Sequence, residues 1–283
     1  MFEQQIVNGI IISSIYALAA LGLSLIFSTL DVPDFAQGQM YMIGAFVSYF
    51  LVAKYHLGLV LSIFLSMAIV ALIGIVMEMV VYRKARYRSH MVIMLSAFAL
   101  SLFFENLALF IFGEHIRSIP SVYGKELVTF WGISISKLRI MIFLVVVVFI
   151  TILQLFIMKT KWGKAMRAVS QNKLGAQMVG INLNRIFSFT FAVGSAFGAL
   201  TGALLGILYN VSPNMGNIPN LKAFVVIVLG GLGNMFGIIF GSFLLGMAES
   251  LGGAYISSAY TDTIAFGILI VTLTIRPKGL LGK

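Results

Sequence analysis

Residues 140–158, IMIFLVVVVFITILQLFIM, and residues 186–209, IFSFTFAVGSAFGALTGALLGILY, contain no charged residue. Between them, residues 159–185 read KTKWGKAMRAVSQNKLGAQMVGINLNR, with six basic residues and no acidic one. A hydrocarbon core of roughly 30 Å takes about 20 apolar residues of helix to cross. The flanking runs therefore read as membrane-spanning helices, and the basic stretch as a cytoplasmic loop. The loop carries more than charge. Residues 164–171 and 174–179 have helical spacing, Asn172 falls at the break, and Gly180 follows the second segment as a C-terminal glycine commonly does. Ala165, Ala168, Gly175 and Ala176 make small surfaces suited to insertion into a groove, while the lysines and Arg167 supply rim charge. That describes a docking element for a partner, although an amphipathic helix lying in the membrane interface has similar spacing.

The same count extends along the chain. Residues 6–30, 35–53 and 57–77 are uncharged and 91–113 hold only Glu105, which brings the well-defined spans to six. Hydrophobic residues make up 60% and charged residues 10% of the 283, the balance of an all-α polytopic membrane protein and not of a soluble core. The formal charge of +10 sits mainly between apolar runs, so the membrane accounts for it and nucleic acid does not. There is no cysteine for a disulfide or thiolate site, and His56, His90 and His115 lie in or near connections. The N-terminal MFEQQ lacks the positive segment of a cleaved signal, so the first span is expected to stay in the mature protein.

Arg83, Lys84, Arg86 and Arg88 make the connection after the third span cytoplasmic. Two spans separate it from the 159–185 loop, so the parity agrees, with the N-terminus and the mixed-charge segment 114–139 outside. The basic tail RPKGLLGK belongs inside. Residues 223–248, however, form one uncharged run, and with 263–275 as a further span a single crossing there would leave the tail outside. Gly230, Gly231, Gly233 and Asn234 break that run near its middle, so two short helical crossings restore the parity. The expectation is eight to nine crossings with one glycine-broken short-helix pair, forming a single transmembrane domain over residues 1–283; a re-entrant hairpin at 223–248 is the competing reading.

Polar groups inside spans need a reason, since a central charge costs roughly 2.5 to 3.5 kcal/mol on insertion scales. Glu105, with Asn106, is expected to pair with a basic group of another helix, to reach water at the outer end, or to line a path. Glu78, Glu249 and Asp262 fall at span ends and are expected to be solvated. Residues 31–45, DVPDFAQGQMYMIGA, leave almost no loop between two spans and are expected to dip into the bundle. There Asp34, Phe35, Gln37 and Gln39 could offer backbone and side-chain groups to a zwitterionic solute, the alternative being a tight turn with Asp34 capping the second helix. Gly194, Gly198, Gly202 and Gly206 recur every four residues, a face for close helix packing or for a sliding seam.

No phosphate-binding loop is present: Gly163-Lys164 is followed by Ala165 and lacks the upstream glycine, and GGLGNMFG has Phe236 where a dinucleotide turn needs its third glycine. Neither a proton relay nor a nucleophilic or paired-carboxylate active site finds support in the spacing. An integral subunit without its own energy source is expected to couple to a partner; a lone secondary transporter or channel driven by an ion gradient is the alternative, and a membrane-embedded enzyme comes third.

Residues 163–182, GKAMRAVSQNKLGAQMVGIN, resemble the ATPase-contacting loop of ABC importer permeases, and specifically of the branched-chain amino-acid branch. NGIIISSIYALAALGLSLIF at 8–27, DFAQGQMYMIGA at 34–45, and LKAFVVIVLGGLGNMFGIIFGSFLLGMAESL at 221–251, followed by SSAYTD and RPKGLLG, are similar to the same family in the same order. The resemblance implies a permease in a bacterial or archaeal cytoplasmic membrane, N-terminus outside and C-terminus inside. It would form a pore with a second permease subunit, coupled to two ATPase subunits that hold the ATP and Mg, and receive solute from an extracytoplasmic binding protein. No cofactor on this chain is implied. Gly163, Lys164, Ala165, Arg167, Ala168, Asn172, Ala176, Gly180, Ile181 and Asn182 are the coupling-loop residues by this resemblance. The family's second block usually reads NFAHGE; here Gln37 and Gln39 stand where it has His and Glu, which removes two titratable groups.

Overall fold

The computed structural model describes residues 2–120, 126–130, 133–231, 233–276 and 279–281. Pro277, Lys278, Gly282 and Lys283 of the expected basic tail, and residues 121–125 of the mixed-charge segment, lie outside the described residues. The elements follow in order as α1 (Phe2–Leu30), α2 (Gln37–Ala53), α3 (Leu59–Met77), α4 (Arg83–Ala85), α5 (His90–Phe112), β1 (Leu127–Phe130), β2 (Ile133–Ser136), α6 (Lys137–Lys159), α7 (Lys161–Gln171), α8 (Lys173–Met178), α9 (Leu183–Leu208), α10 (Asn217–Gly230), α11 (Met235–Tyr255) and α12 (Thr261–Ile275). A π-helical turn, Glu78–Tyr82, joins α3 to α4, so helix runs unbroken over Leu59–Ala85 and carries Arg83 and Lys84 with it. Among the described residues seven helices are long and apolar enough to cross a membrane, and Asn217–Gly230 is a shorter apolar helix. The protein is an all-α polytopic membrane protein, with one addition: β1 and β2 pair antiparallel as a small hairpin, Leu127 opposite Ser136.

The residues group into two compact units, a first of Met1–Leu21, Ser121–Phe149 and Leu221–Lys283 and a second of Gly22–Pro120 and Ile150–Asn220. In the second, α9 packs against both α2 and α3. Its glycines make this possible. A Cβ at Gly202 would fall on the Tyr41 carbonyl, one at Gly198 would press on Met40 and Tyr41, and Gly194 and Gly206 meet Ile26 and Val211 respectively. The four-residue glycine face is thus filled by the chain's own side chains and backbone. Tyr41, Phe46, Tyr82 and Phe191 are the largest fully buried side chains there.

In the first unit the glycine break falls as expected, between α10 and α11. Gly231 and Gly233 hold φ of +92° and +77°, in the region L side chains rarely enter, and Asn234 caps α11 by accepting from the Gly237 N–H at 3.1 Å. The pair differs from two short crossings in proportion. α11 has 21 residues and spans by itself, whereas α10 has 14 and begins at Asn217, six residues before the uncharged run. Pro219 explains the early start: in the first helical turn its missing N–H breaks no helical bond. The Leu280 N–H donates to the Leu229 carbonyl at 2.8 Å, and Asn234 donates to the Leu281 carbonyl at 3.0 Å, so the end of the described tail closes on the α10–α11 turn.

Candidate functional site

The basic loop folds as two helices, each started by a side-chain cap. Thr160 Oγ1 accepts from the Gly163 N–H at 3.0 Å to open α7, and Asn172, ending α7, accepts from the Gly175 N–H at 2.8 Å to open α8. Gly180 takes φ +83°, its N–H donates to the Gln177 carbonyl at 2.9 Å, and the Ile181 N–H reaches the Ala176 carbonyl at 3.0 Å, which ends α8. Asn182 then caps α9 through the Arg185 N–H at 3.2 Å. Small residues turn inward: Gly163 lies against the Ile157 backbone and Ala176 is buried, while Ala165 and Ala168 are half-buried. What α8 and the turn after it present outward is apolar and larger, with Leu174 70%, Met178 86% and Val179 76% exposed. The alanines and Gly175, expected to form the insertion surface, are thus less exposed than these three side chains, and Lys164 and Arg167, nearby in sequence on α7, are exposed. A groove of about 300 Å³ beside it is lined by Lys161, Trp162, Ala165, Gly180, Ile181, Asn182, Arg185 and Ile186. Lys173 Nζ lies 2.6 Å from Asp31 Oδ2, tying α8 to the end of α1.

Next to Asp31 the chain dips inward as expected. Asp34, Gln37 and Gln39 are buried to 1% exposure or less, and Phe35 stands edge-on to Phe98 at 6.5 Å. Asp34 does not cap α2. Its Oδ1 accepts from the Tyr82 hydroxyl at 2.6 Å and from the Ala36 N–H at 2.9 Å, before the helix begins. Gln37 donates to the Gly194 carbonyl at 2.8 Å. Gln39 donates to Ser101 Oγ at 3.1 Å and to Asn217 Oδ1 at 2.9 Å, and Asn217 Nδ2 donates to Glu105 Oε2 at 3.2 Å. Asn220 donates to the Asp34 carbonyl at 3.3 Å. The first turn of α10 thus joins the dipping turn to α5. Asn106 is not part of this network; it is exposed and donates to its own helix at Leu102. Asn217, Asn220, Tyr82 and Ser101 went unnoticed in the sequence, where the only signal was two asparagines just ahead of an uncharged run.

Two expected solvated acids are buried instead. Glu78, 0% exposed, is paired with Arg83 at 2.8 Å and Arg86 at 3.4 Å and accepts from Ser188 Oγ at 2.6 Å, joining the end of α3 to α9. Glu249, 3% exposed, accepts from the Tyr16 hydroxyl at 2.6 Å and lies 3.0 Å from Lys222 Nζ, which also reaches the half-exposed Asp262 at 2.8 Å. Both acids stand at the edges of uncharged runs, but they lie within continuous helix and are buried, and in place of water each carboxylate takes a cation. Among the described residues no group of three or more His, Cys, Asp and Glu could hold a metal ion.

A family model described as the permease component of branched-chain amino acid transport systems matches residues 5–273. The high-affinity branched-chain amino acid transport system permease protein BraD of Pseudomonas aeruginosa is 32% identical over all of this chain and 96% of its own length. LivH of Escherichia coli, a permease protein of the same kind, is 33% identical with the same coverage, and LivM of Escherichia coli is 23% identical over 95% of this chain and 68% of its own. A solved structure, PsaBC from Streptococcus pneumoniae in complex with Fab, has a similar fold, with a TM-score of 0.52 and 14% identity over 96% of this chain and 91% of that one.

Proposed function

The chain belongs to the family of permease components of branched-chain amino acid transport systems, and on that premise we propose that it is one permease subunit of an ATP-driven importer of branched-chain or related small amino acids. It works with a second permease subunit, two ATPase subunits that hold ATP and Mg, and an extracytoplasmic binding protein that delivers the solute. The N-terminus lies outside and the C-terminus inside, in keeping with the basic residues at 83–88 and 159–185.

The observation that carries this reading is that the loop and the dipping turn belong to one compact unit and are joined where Lys173 meets Asp31. A push on α7 and α8 is delivered to α9, whose start is capped by Asn182 and clamped to α3 through Ser188 and Glu78. α9 in turn packs on α2, whose first turn holds Gln37 and Gln39. ATP binding closes the ATPase pair, moves this unit, and shifts the permease between outward- and inward-open packings. The exposed Lys173–Asp31 pair adds little stability, and its value here is position. Leu174, Met178 and Val179 enter a groove on the ATPase. Purification in mild detergent tests the coupling: an ATPase co-isolates with the wild-type chain and is lost from the Gly180→Trp variant. A lone homo-oligomer would sink the reading.

A further inference from the structure

Glu105 is a carboxylate inside a span, and among the described residues no ion pair reaches it. It lies seven residues before the end of α5 at Phe112, about 10 Å along the helix axis. One oxygen accepts from Asn217 at 3.2 Å, and the residue is half-buried.

The hydrogen bonds around it run in one direction. A carboxylate only accepts, so Asn217 must turn its amide nitrogen toward Glu105 and its oxygen toward Gln39. Gln39 must then use its nitrogen for Asn217 and for Ser101, which leaves its own oxygen buried without a partner. A glutamate at position 39 could not donate to Asn217. The glutamine that departs from the family pattern is therefore what this arrangement requires. Backbone geometry builds it: Gly38 and Gly216 touch main chain to main chain, which sets Gln39 against Asn217, and Asn217 opens α10 with the positive end of that helix toward the carboxylate. The N-terminal end of a helix carries about half a positive charge, which attracts a negative group beside it.

We propose that Glu105, oriented by Asn217 and Gln39, is a station on the translocation path for the primary ammonium group of the solute. The inference rests on the importer reading above and names the group of the solute that this chain engages. A cation on a neighbouring permease subunit has the same chemistry, and the assay separates the two sources.

The whole importer, with its ATPases, second permease and binding protein, is reconstituted in vesicles, and uptake of labelled standard amino acids is followed for wild type, Glu105→Gln and Glu105→Asp. Gln keeps the size and the bond from Asn217 and loses the charge; Asp keeps the charge and loses a methylene. Loss of a charge-assisted contact predicts uptake per assembled complex about tenfold or more lower in E105Q than in wild type, with E105D the more active variant. With the same binding protein, isopentylamine in excess inhibits wild-type uptake more strongly, relative to 4-methylpentanoate, than it inhibits E105Q uptake. Uptake by E105Q equal to or above that of E105D, loss of the second permease from E105Q, or the same relative inhibition in wild type and E105Q overturns the proposal. A wild-type complex that transports without ATP overturns the importer reading instead, so the two failures are distinct.

Discussion

Gly38, in the first turn of α2, and Gly216, just before α10, meet backbone to backbone: a Cβ on Gly38 would stand 2.7 Å from the Gly216 carbonyl oxygen, and one on Gly216 would fall on the Gly38 carbonyl. The two glycines hold the dipping turn against the start of α10, and the polar network from Ser101 to Glu105 depends on that contact.

Gly38→Ala and Gly216→Ala are each expected to destabilise the chain by about 1 to 3 kcal/mol, the cost of forcing an extra carbon into packed structure. Thermal unfolding of the purified complex measures this. Gly58→Ala, where a Cβ meets nothing within 4 Å, is the control and is expected to leave the midpoint unchanged.

Lys222→Met leaves Glu249 buried without its cation, and the loss is expected to be about 3 kcal/mol or more, since breaking a buried pair costs more than the pair contributes. Replacing both partners, Lys222→Met with Glu249→Gln, is expected to recover much of it. Denaturation midpoints of the two single variants and the double variant provide the cycle, and a purely additive double variant would contradict the pairing.

Leu174→Asp and Met178→Asp change side chains that face away from the chain's own core, so membrane insertion and unfolding midpoint are expected to stay as in wild type. Co-isolation of the ATPase is expected to fall about tenfold or more, the effect of a charge placed in an apolar contact. Ala176→Asp, at a buried position, is expected to lower the midpoint as well, which separates docking from folding.

Because the chain has no cysteine, single cysteines report topology without background. Arg88→Cys is expected to react with a membrane-impermeant maleimide only from the cytoplasmic side, and Glu114→Cys only from outside. The reverse pattern would invert the orientation.

The spans were legible because lipid demands long uncharged runs, and the breaks at Asn172, Gly180 and Gly231–Asn234 were legible because caps and positive φ restrict residue type. The dipping turn showed itself through polar residues crowded where no loop length was left. Burial at span ends was not legible. Glu78 and Glu249 stand at the edges of apolar runs, and whether such an edge meets water or another helix is set by tertiary packing, which run length does not encode. For the same reason Lys222 read as a boundary before the uncharged run, although helix starts five residues earlier. Asn217 gains its meaning only through Gln39 and Glu105, which are 178 and 112 residues away in the chain.

ATP hydrolysed on another subunit is expected to move this permease. Uptake of a labelled amino acid into vesicles holding the reconstituted complex, with ATP sealed inside and binding protein outside, tests it most directly. Uptake is expected to require both and to be unaffected by dissipating ion gradients with ionophores. Uptake by this chain alone, driven by an ion gradient without ATP, would contradict it.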